Sequence, residues 1–214
     1  MKNKVLYMNP HQEQLATLHE IRSIMDRSSR FISLSGLSGV SAGVFALIGA
    51  GVVKWYLGQN NILYRNDYTV SLNLNTVVFL GSVAALVMIL AISTAIYFTS
   101  RKARQNNQRV WDSKSRRLLL NLAIPLGVGG IFCAVLLYHG IIYLIAPAML
   151  VFYGLALING SKYTLSDIRY LGICEILLGL VSSIFIGYGL LSWAVGFGAL
   201  HIIYGMVMYY KYER

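Results

Sequence analysis

The chain has 214 residues, of which 57% are hydrophobic and only 12% charged, with a mean hydropathy of +0.61. An ordinary soluble domain carries about 25% charged residues, so this composition argues against a soluble enzyme and for several apolar segments of the ~20 residues that cross a bilayer. The net charge of +10 sets topology: of the 18 Lys and Arg, all but Lys54 and Arg65 fall on one side of the expected spans, which is the positive-inside bias. No nucleic-acid-binding motif accompanies the charge, and nucleic acid is excluded as a partner.

Taken in order, the opening MKNKVLYMNPHQEQ lacks the charged-then-apolar layout of a signal peptide, so the first span is expected to act as its own insertion signal. Asn9-Pro10 is a helix-start signal. From His11 to Arg30 the apolar Leu15, Leu18, Ile21, Ile24 and Met25 share one side, with Glu13, Glu20, Arg27 and Arg30 opposite. That pattern predicts a cytoplasmic amphipathic helix over residues 1–30, lying on the membrane surface or docking on a partner.

The membrane domain is expected over 31–214. Span one, about 31–56, has Ser35, Gly39 and Gly43 on one line and Ser38, Ala42, Ala46 and Ala50 on the next. Small residues let helix backbones approach in lipid, so this span suits the bundle centre or the interface of a homo-oligomer. A polar outer loop from Leu57 to Leu74 precedes span two, about 75–99, which is free of charge and reads as lipid-facing.

The main inner loop, RKARQNNQRVWDSKSRR, offers Arg101, Lys102, Arg104, Arg109, Lys114, Arg116 and Arg117 to anionic lipid headgroups or a cytoplasmic protein partner, at up to ~1 kcal/mol per basic residue. Span three, about 118–138, holds Asn121 and a kink-forming Pro125 and closes on the tight turn His139-Gly140. Span four, about 141–158, is expected to stop at Asn159-Gly160. Spans five and six, about 168–187 and 191–210, are joined by Gly187-Tyr188-Gly189. The expected fold is therefore all-α: a polytopic bundle of six transmembrane helices in three helical hairpins, both termini cytoplasmic.

A repeat at an offset of about 50 residues links the last two hairpins. Tyr153-Gly154 followed by Lys162-Tyr163 matches Tyr204-Gly205 followed by Lys211-Tyr212. Aligning Arg30, Arg117 and Arg169 brings Gly43, Gly130 and Ser182 into register, as parallel hairpins would.

The phrases IRSIMDRSSRFISLSGLSG, YGLALINGSKYTLSDIRYLG and CEILLGLVSS resemble a family of small six-span bacterial integral membrane proteins. The resemblance extends from the amphipathic helix to the C-terminus. It implies that topology and a bacterial cytoplasmic (inner) membrane, and it implies no activity.

The candidate chemistry lies in the last hairpin. Glu175 and His201 are equally far in sequence from Tyr188, each roughly 20 Å from the turn at a helical rise. They are expected to face each other at one depth, where ionisable groups are costly and find partners. Such a pair would hold one proton near neutral pH, as a switch or a coupling site requires. Asn121 and Asn159 are further polar candidates near the inner ends of their spans. The chain has no HExxH, G-x-S-x-G, Walker loop or paired Cys-x-x-Cys, so neither metal nor cofactor is expected, and His139 reads as a solvated interfacial residue. The favoured reading is a non-catalytic regulatory or sensory module binding a lipid, apolar ligand or protein partner. A small-solute or proton-coupled transporter and an intramembrane enzyme are the alternatives.

Overall fold

The computed structural model describes residues 34–60, 73–105 and 110–214, with Gln14, Thr17 and Leu18 singly before them. The expected amphipathic helix over 1–30, most of the outer loop, and Arg109 lie outside the described residues. Within them the chain forms six apolar helices: α1 (Gly36–Gln59), α2 (Leu74–Gln105), α3 (Ser113–Tyr138), α4 (Ile145–Gly160), α5 (Ile168–Ile184) and α6 (Gly189–Tyr212). Short 3-10 turns flank α4, extending it to Ile142–Tyr163. Five of these helices are long and apolar enough to cross a membrane; α5, with 17 residues, is the shorter sixth. The chain is a helical protein with the makings of a multi-pass membrane protein.

Local chemistry explains the ends. Asp112 accepts the Lys114 backbone N–H and starts α3, five residues ahead of the expected span, so that α3 rises out of the apolar stretch into charged sequence. Similarly, α2 runs on to Gln105. At the far end of α3, Ile141 N–H donates to Leu136 and Gly140 N–H to Leu137. Gly140 sits at φ 73, so this is a Schellman stop that needs a residue without a Cβ. The α-helix α4 ends at Gly160, as Asn159-Gly160 predicts, but Gly160 keeps helical angles (φ -65, ψ -32) in place of a left-handed cap, and the chain passes into the 3-10 turn Ser161–Tyr163. Gly160 is there for packing, since a Cβ would meet Leu122 Cδ2 at 2.8 Å and Leu118 Cδ1 at 3.3 Å on α3.

Helices α2 and α3 are the outer members. Leu86, Ile89, Ile92 and Ile96 on α2, and Ile124 and Ile131 on α3, are exposed, as lipid-facing surfaces are. A cluster of Leu157, Leu165, Ile168, Leu171 and Met208 forms a small apolar core near the end where most basic residues gather, called here the basic end.

Two helix crossings hold the bundle, and they are copies of each other. Where α4 meets α5, a Cβ on Gly154 would stand 2.5 Å from the Gly172 carbonyl oxygen and 2.7 Å from Ile176 Cγ1. Where α6 meets α1, a Cβ on Gly205 would stand 2.7 Å from the Gly36 carbonyl oxygen and 2.9 Å from Val40 Cγ2. Farther along, Gly179 faces the Pro147 carbonyl and Val151 Cγ2, while Gly43 faces the Gly198 carbonyl and Ile202 Cγ1. Pro147, Val151 and Gly154 on α4 match Gly198, Ile202 and Gly205 on α6 at one constant offset, and Gly172, Ile176 and Gly179 on α5 match Gly36, Val40 and Gly43 on α1 at another. Close backbone approach over glycine is the attraction lipid leaves available, and the chain uses one solution twice. The match of Tyr153-Gly154 with Tyr204-Gly205 holds in space, but the arginine-based register does not. Gly43 stands where Gly179 does, nearly one helical turn before Ser182, because the packed glycines and not the interfacial arginines fix the crossing. Span one accordingly packs inside the bundle.

Candidate functional site

Glu175 projects from the buried face of α5, which also carries Ile168, Leu171, Gly172, Gly179 and Ser182. It is 0% exposed. Room for its carboxyl group comes from α6: a Cβ on Gly196 would meet Glu175 Oε2 at 2.5 Å and Cδ at 3.3 Å. Gly196 belongs to Ala194–Leu200, where α6 is wound as a π-helix before resuming as α-helix at His201. Wide turns of this kind recur at functional sites. Here the turn places the Gly196 carbonyl 2.9 Å from His201 Nδ1.

The imidazole is the hub. Its Nδ1 is also 3.4 Å from Glu175 Oε1, too long and off-line for a hydrogen bond, and its Nε2 is 2.7 Å from the Tyr153 hydroxyl on α4. Since Nδ1 faces two oxygen acceptors, it carries the hydrogen and donates to Gly196, leaving Nε2 to accept from Tyr153. Among the described residues neither Glu175 oxygen has a hydrogen-bond partner, nor does the Ser182 hydroxyl. An ionised carboxylate enclosed without a donor is far costlier than a neutral acid, so the arrangement suits a carboxyl group that holds its proton. Phe197 closes the aromatic side, 5.0 Å from the Tyr153 ring and 5.9 Å from the imidazole, with Trp193 behind it at 5.2 Å. Helix α1 contributes Gly39, which packs against the His201 carbonyl, and no charge.

The structure thus brings Glu175 and His201 together and adds Tyr153. Tyr153 entered the sequence reading only as a repeat marker. Its signal was positional, since it lies at the depth of His201 on the neighbouring hairpin. Asn121 and Asn159 pair elsewhere. Asn159 Nδ2 donates to the Asn121 carbonyl at 2.9 Å and to its side-chain oxygen at 3.2 Å, while Asn121 donates to Arg117. They clamp α3 to α4.

Of the basic residues, Arg101, Arg104, Arg116 and Arg117 are exposed and Lys114 is half-buried. Lys102 turns inward instead: Nζ donates to the Leu34 carbonyl at 2.7 Å and to Glu213 at 3.3 Å. Glu213 also accepts from the Ser35 hydroxyl and the Gly36 N–H, placing an acid at the positive N-terminus of α1. Sequence reading missed this knot, because its members are far apart in the chain.

A second polar contact lies at the basic end. Asp167 accepts from Lys211 Nζ at 2.7 Å and from the Tyr212 hydroxyl at 2.8 Å. Partial desolvation pushes its carboxyl up, but these two donors and the Lys211 charge outweigh that and hold it below its ordinary range. Cys133 and Cys174 are free. Among the described residues no group of three or more His, Cys, Asp or Glu could hold a metal ion. No family model, curated protein or solved structure matches the chain.

Proposed function

We propose that the chain is a six-span protein of a bacterial inner membrane, both termini cytoplasmic, working as a non-catalytic, proton-responsive regulatory module. Glu175 is the proton acceptor, His201 its partner, and Tyr153 the residue that orients the imidazole. Helix α5 is about 25 Å long at 1.5 Å per residue, short of the ~30 Å hydrocarbon layer, and the turns at its two ends make up the difference. The basic end, with Arg101, Arg104, Arg116 and Arg117, faces anionic lipid headgroups or a cytoplasmic protein partner.

One observation carries the reading: an acid enclosed on all sides, neither oxygen satisfied, beside an imidazole whose donor has two acceptors to choose from. A group fixing helix register alone would be hydrogen-bonded, as Asn121 and Asn159 are. The enzyme alternative draws on one contact, the Tyr153 hydroxyl 2.7 Å from the His201 Nε2 base, a hydroxyl–base pair with no oxyanion donor described beside it. The transporter alternative draws on the repeated crossings that flank the site, since substrate sites commonly lie at repeat interfaces.

The test is difference infrared spectroscopy of the reconstituted protein between acid and alkaline pH. A carboxylic C=O band that titrates and is lost in Glu175→Gln is expected; a spectrum unaltered by that substitution removes the reading. Solute or proton flux through liposomes, abolished by Glu175→Gln, would favour the transporter over the regulatory module.

A further inference from the structure

Ser38, Ser41, Ser82, Ser161 and Ser183 each donate to the carbonyl three residues back in the chain, the local bond open to any serine in a helix. Ser182, next to Ser183 on α5, does not. It is 3% exposed and its hydroxyl has no hydrogen-bond partner among the described residues. The other buried side-chain atoms in that condition are the two oxygens of Glu175. Both residues lie on the buried face of α5, about 10 Å apart along the axis. Between them on that face is Gly179, where a Cβ would stand 2.9 Å from the Pro147 carbonyl oxygen of α4. Oxygens thus fall beside Glu175, Gly179 and Ser182, in steps of about 6 and 4.5 Å. A water bonded to two oxygens at about 2.8 Å each covers such a step, and water is what ordinarily satisfies enclosed polar groups.

The two directions away from Glu175 differ. Toward the basic end its face of α5 continues as Gly172, Leu171 and Ile168. Gly172 is closed against the Gly154 carbonyl and Ile158, and Leu171 and Ile168 belong to the apolar core with Leu157, Leu165 and Met208. The contact of Cys174 with Tyr204 on that side lies about 100° around α5 from Glu175. Toward the other end, Ser182 is followed closely by the last residue of α5, Ile184. Exposed Ile184, Phe185 and Tyr188 surround the turn there, with Gly187 at φ 101, and Ser192 adds a hydroxyl at the start of α6. We infer that Ser182 is a proton-relay residue, through which Glu175 exchanges its proton with the Gly187 end of the bundle by way of waters held between the two side chains. The inference rests on the proton-switch reading and names the side whose acidity the switch reads. In the proposed orientation that side is the non-cytoplasmic one.

A hydronium from the Gly187 end gives a proton to a lone pair of Ser182 Oγ, while Ser182 releases its own hydrogen to the water on the Glu175 side. That water passes a proton to the Glu175 carboxylate. One O–H bond forms and one breaks at each relaying oxygen, and the net change is hydronium plus carboxylate to water plus carboxylic acid. A serine bonded to its own helix has its hydrogen committed; a free hydroxyl offers both donor and acceptor. The titratable groups facing Glu175 are Tyr153 from α4 and His201 from α6, with Cys174 beside it on α5 and Tyr204 beyond the thiol; α1 brings Gly39 beside His201 and no charge. Tyr153 and His201 are bonded to each other, which leaves Ser182 as the unengaged hydroxyl on the carboxyl group's own face. Because a relay speeds protonation and deprotonation alike, removing it changes the rate and leaves the midpoint of titration in place.

The experiment follows the Glu175 C=O infrared band of the full chain in sealed vesicles, after protons are photoreleased from a membrane-impermeant caged acid outside them. A C-terminal affinity tag sorts the vesicles by whether the basic end faces out or in. Expected is fast protonation when the Gly187 end faces the released acid, slowed roughly tenfold or more in Ser182→Ala with the titration midpoint unchanged. Ser183→Ala, which removes a hydroxyl already bonded to Leu180, should leave the rate as it is. Ser182→Ala deletes a hydroxyl that no described residue bonds, so the variant is expected to fold. A rate indifferent to Ser182→Ala while the band still titrates overturns the relay and leaves the proton switch standing. Faster protonation from the basic end overturns the assigned side. Absence of a titrating Glu175 band removes the reading beneath both.

Discussion

Replacing Gly154 and Gly205 separately by Ala tests the duplicated crossing quantitatively. The Gly154 methyl would stand 2.5 Å from the Gly172 carbonyl oxygen, and the Gly205 methyl 2.7 Å from the Gly36 carbonyl oxygen and 2.6 Å from the Val40 nitrogen. Backbone atoms cannot rotate away as a side-chain tip can, so each helix pair must separate. Overpacking of this kind costs about 1–3 kcal/mol, against a propensity gain of at most ~1 kcal/mol for Ala over Gly in a helix. Equivalent surroundings make the two losses equal within the ~0.5 kcal/mol expected of independent, distant sites. Gly127→Ala and Gly130→Ala are the controls, because nothing lies within 4 Å of either added methyl, and they should be neutral or stabilising. Thermal unfolding in detergent, read by circular dichroism, would lower Tm by about 2–4 °C per kcal/mol for a chain of this size. Unequal losses at Gly154 and Gly205, or a loss at Gly127 as large as either, would refute the equivalence.

Three further outcomes follow from the site and the basic end. Tyr153→Phe removes the hydroxyl that His201 Nε2 accepts and should cost about 0.5–1.5 kcal/mol while leaving the Glu175 infrared band in place but shifted, as a positioning role requires. Asp167 is held below its ordinary range, so its stabilisation is complete above about pH 4 and is lost as pH falls through the lowered value; acid unfolding curves of Asp167→Asn should lack that segment of the slope. Glu213→Gln weakens the bonds to Lys102, Ser35 and Gly36, charge-assisted contacts of about 1.5–3 kcal/mol each, and should expose the start of α1 to faster hydrogen exchange.

Hydropathy and the distribution of Lys and Arg made the apolar helices legible, because both are summed over many residues and tolerate local error. Glu175 and His201 were legible for a related reason: an ionisable group inside an apolar run stands out, and equal spacing from a turn places two of them at one level. Tyr153 was hidden because tyrosine is common at span ends and its partner lies on another hairpin. The Glu213 knot was hidden because a carboxylate beside Arg214 reads as solvated surface until α1 and α2 are brought to it. Asn159-Gly160 marked the end of α4, since asparagine–glycine is a strong local stop signal, but the packing of Gly160 against Leu118 and Leu122 could not be read from it. The π-wound stretch has no marker in AVGFGAL beyond its two glycines.

The crossing of α6 on α1 joins the earliest of the described helices to the latest made. While the ribosome is still threading the intervening hairpins into lipid, the Gly36–Val40–Gly43 groove on α1 must wait, uncovered, for its mate. Biogenesis should therefore be late-closing: nascent chains arrested before Gly198 would expose that groove to insertion factors or quality-control proteases, and become protected only when α6 is released.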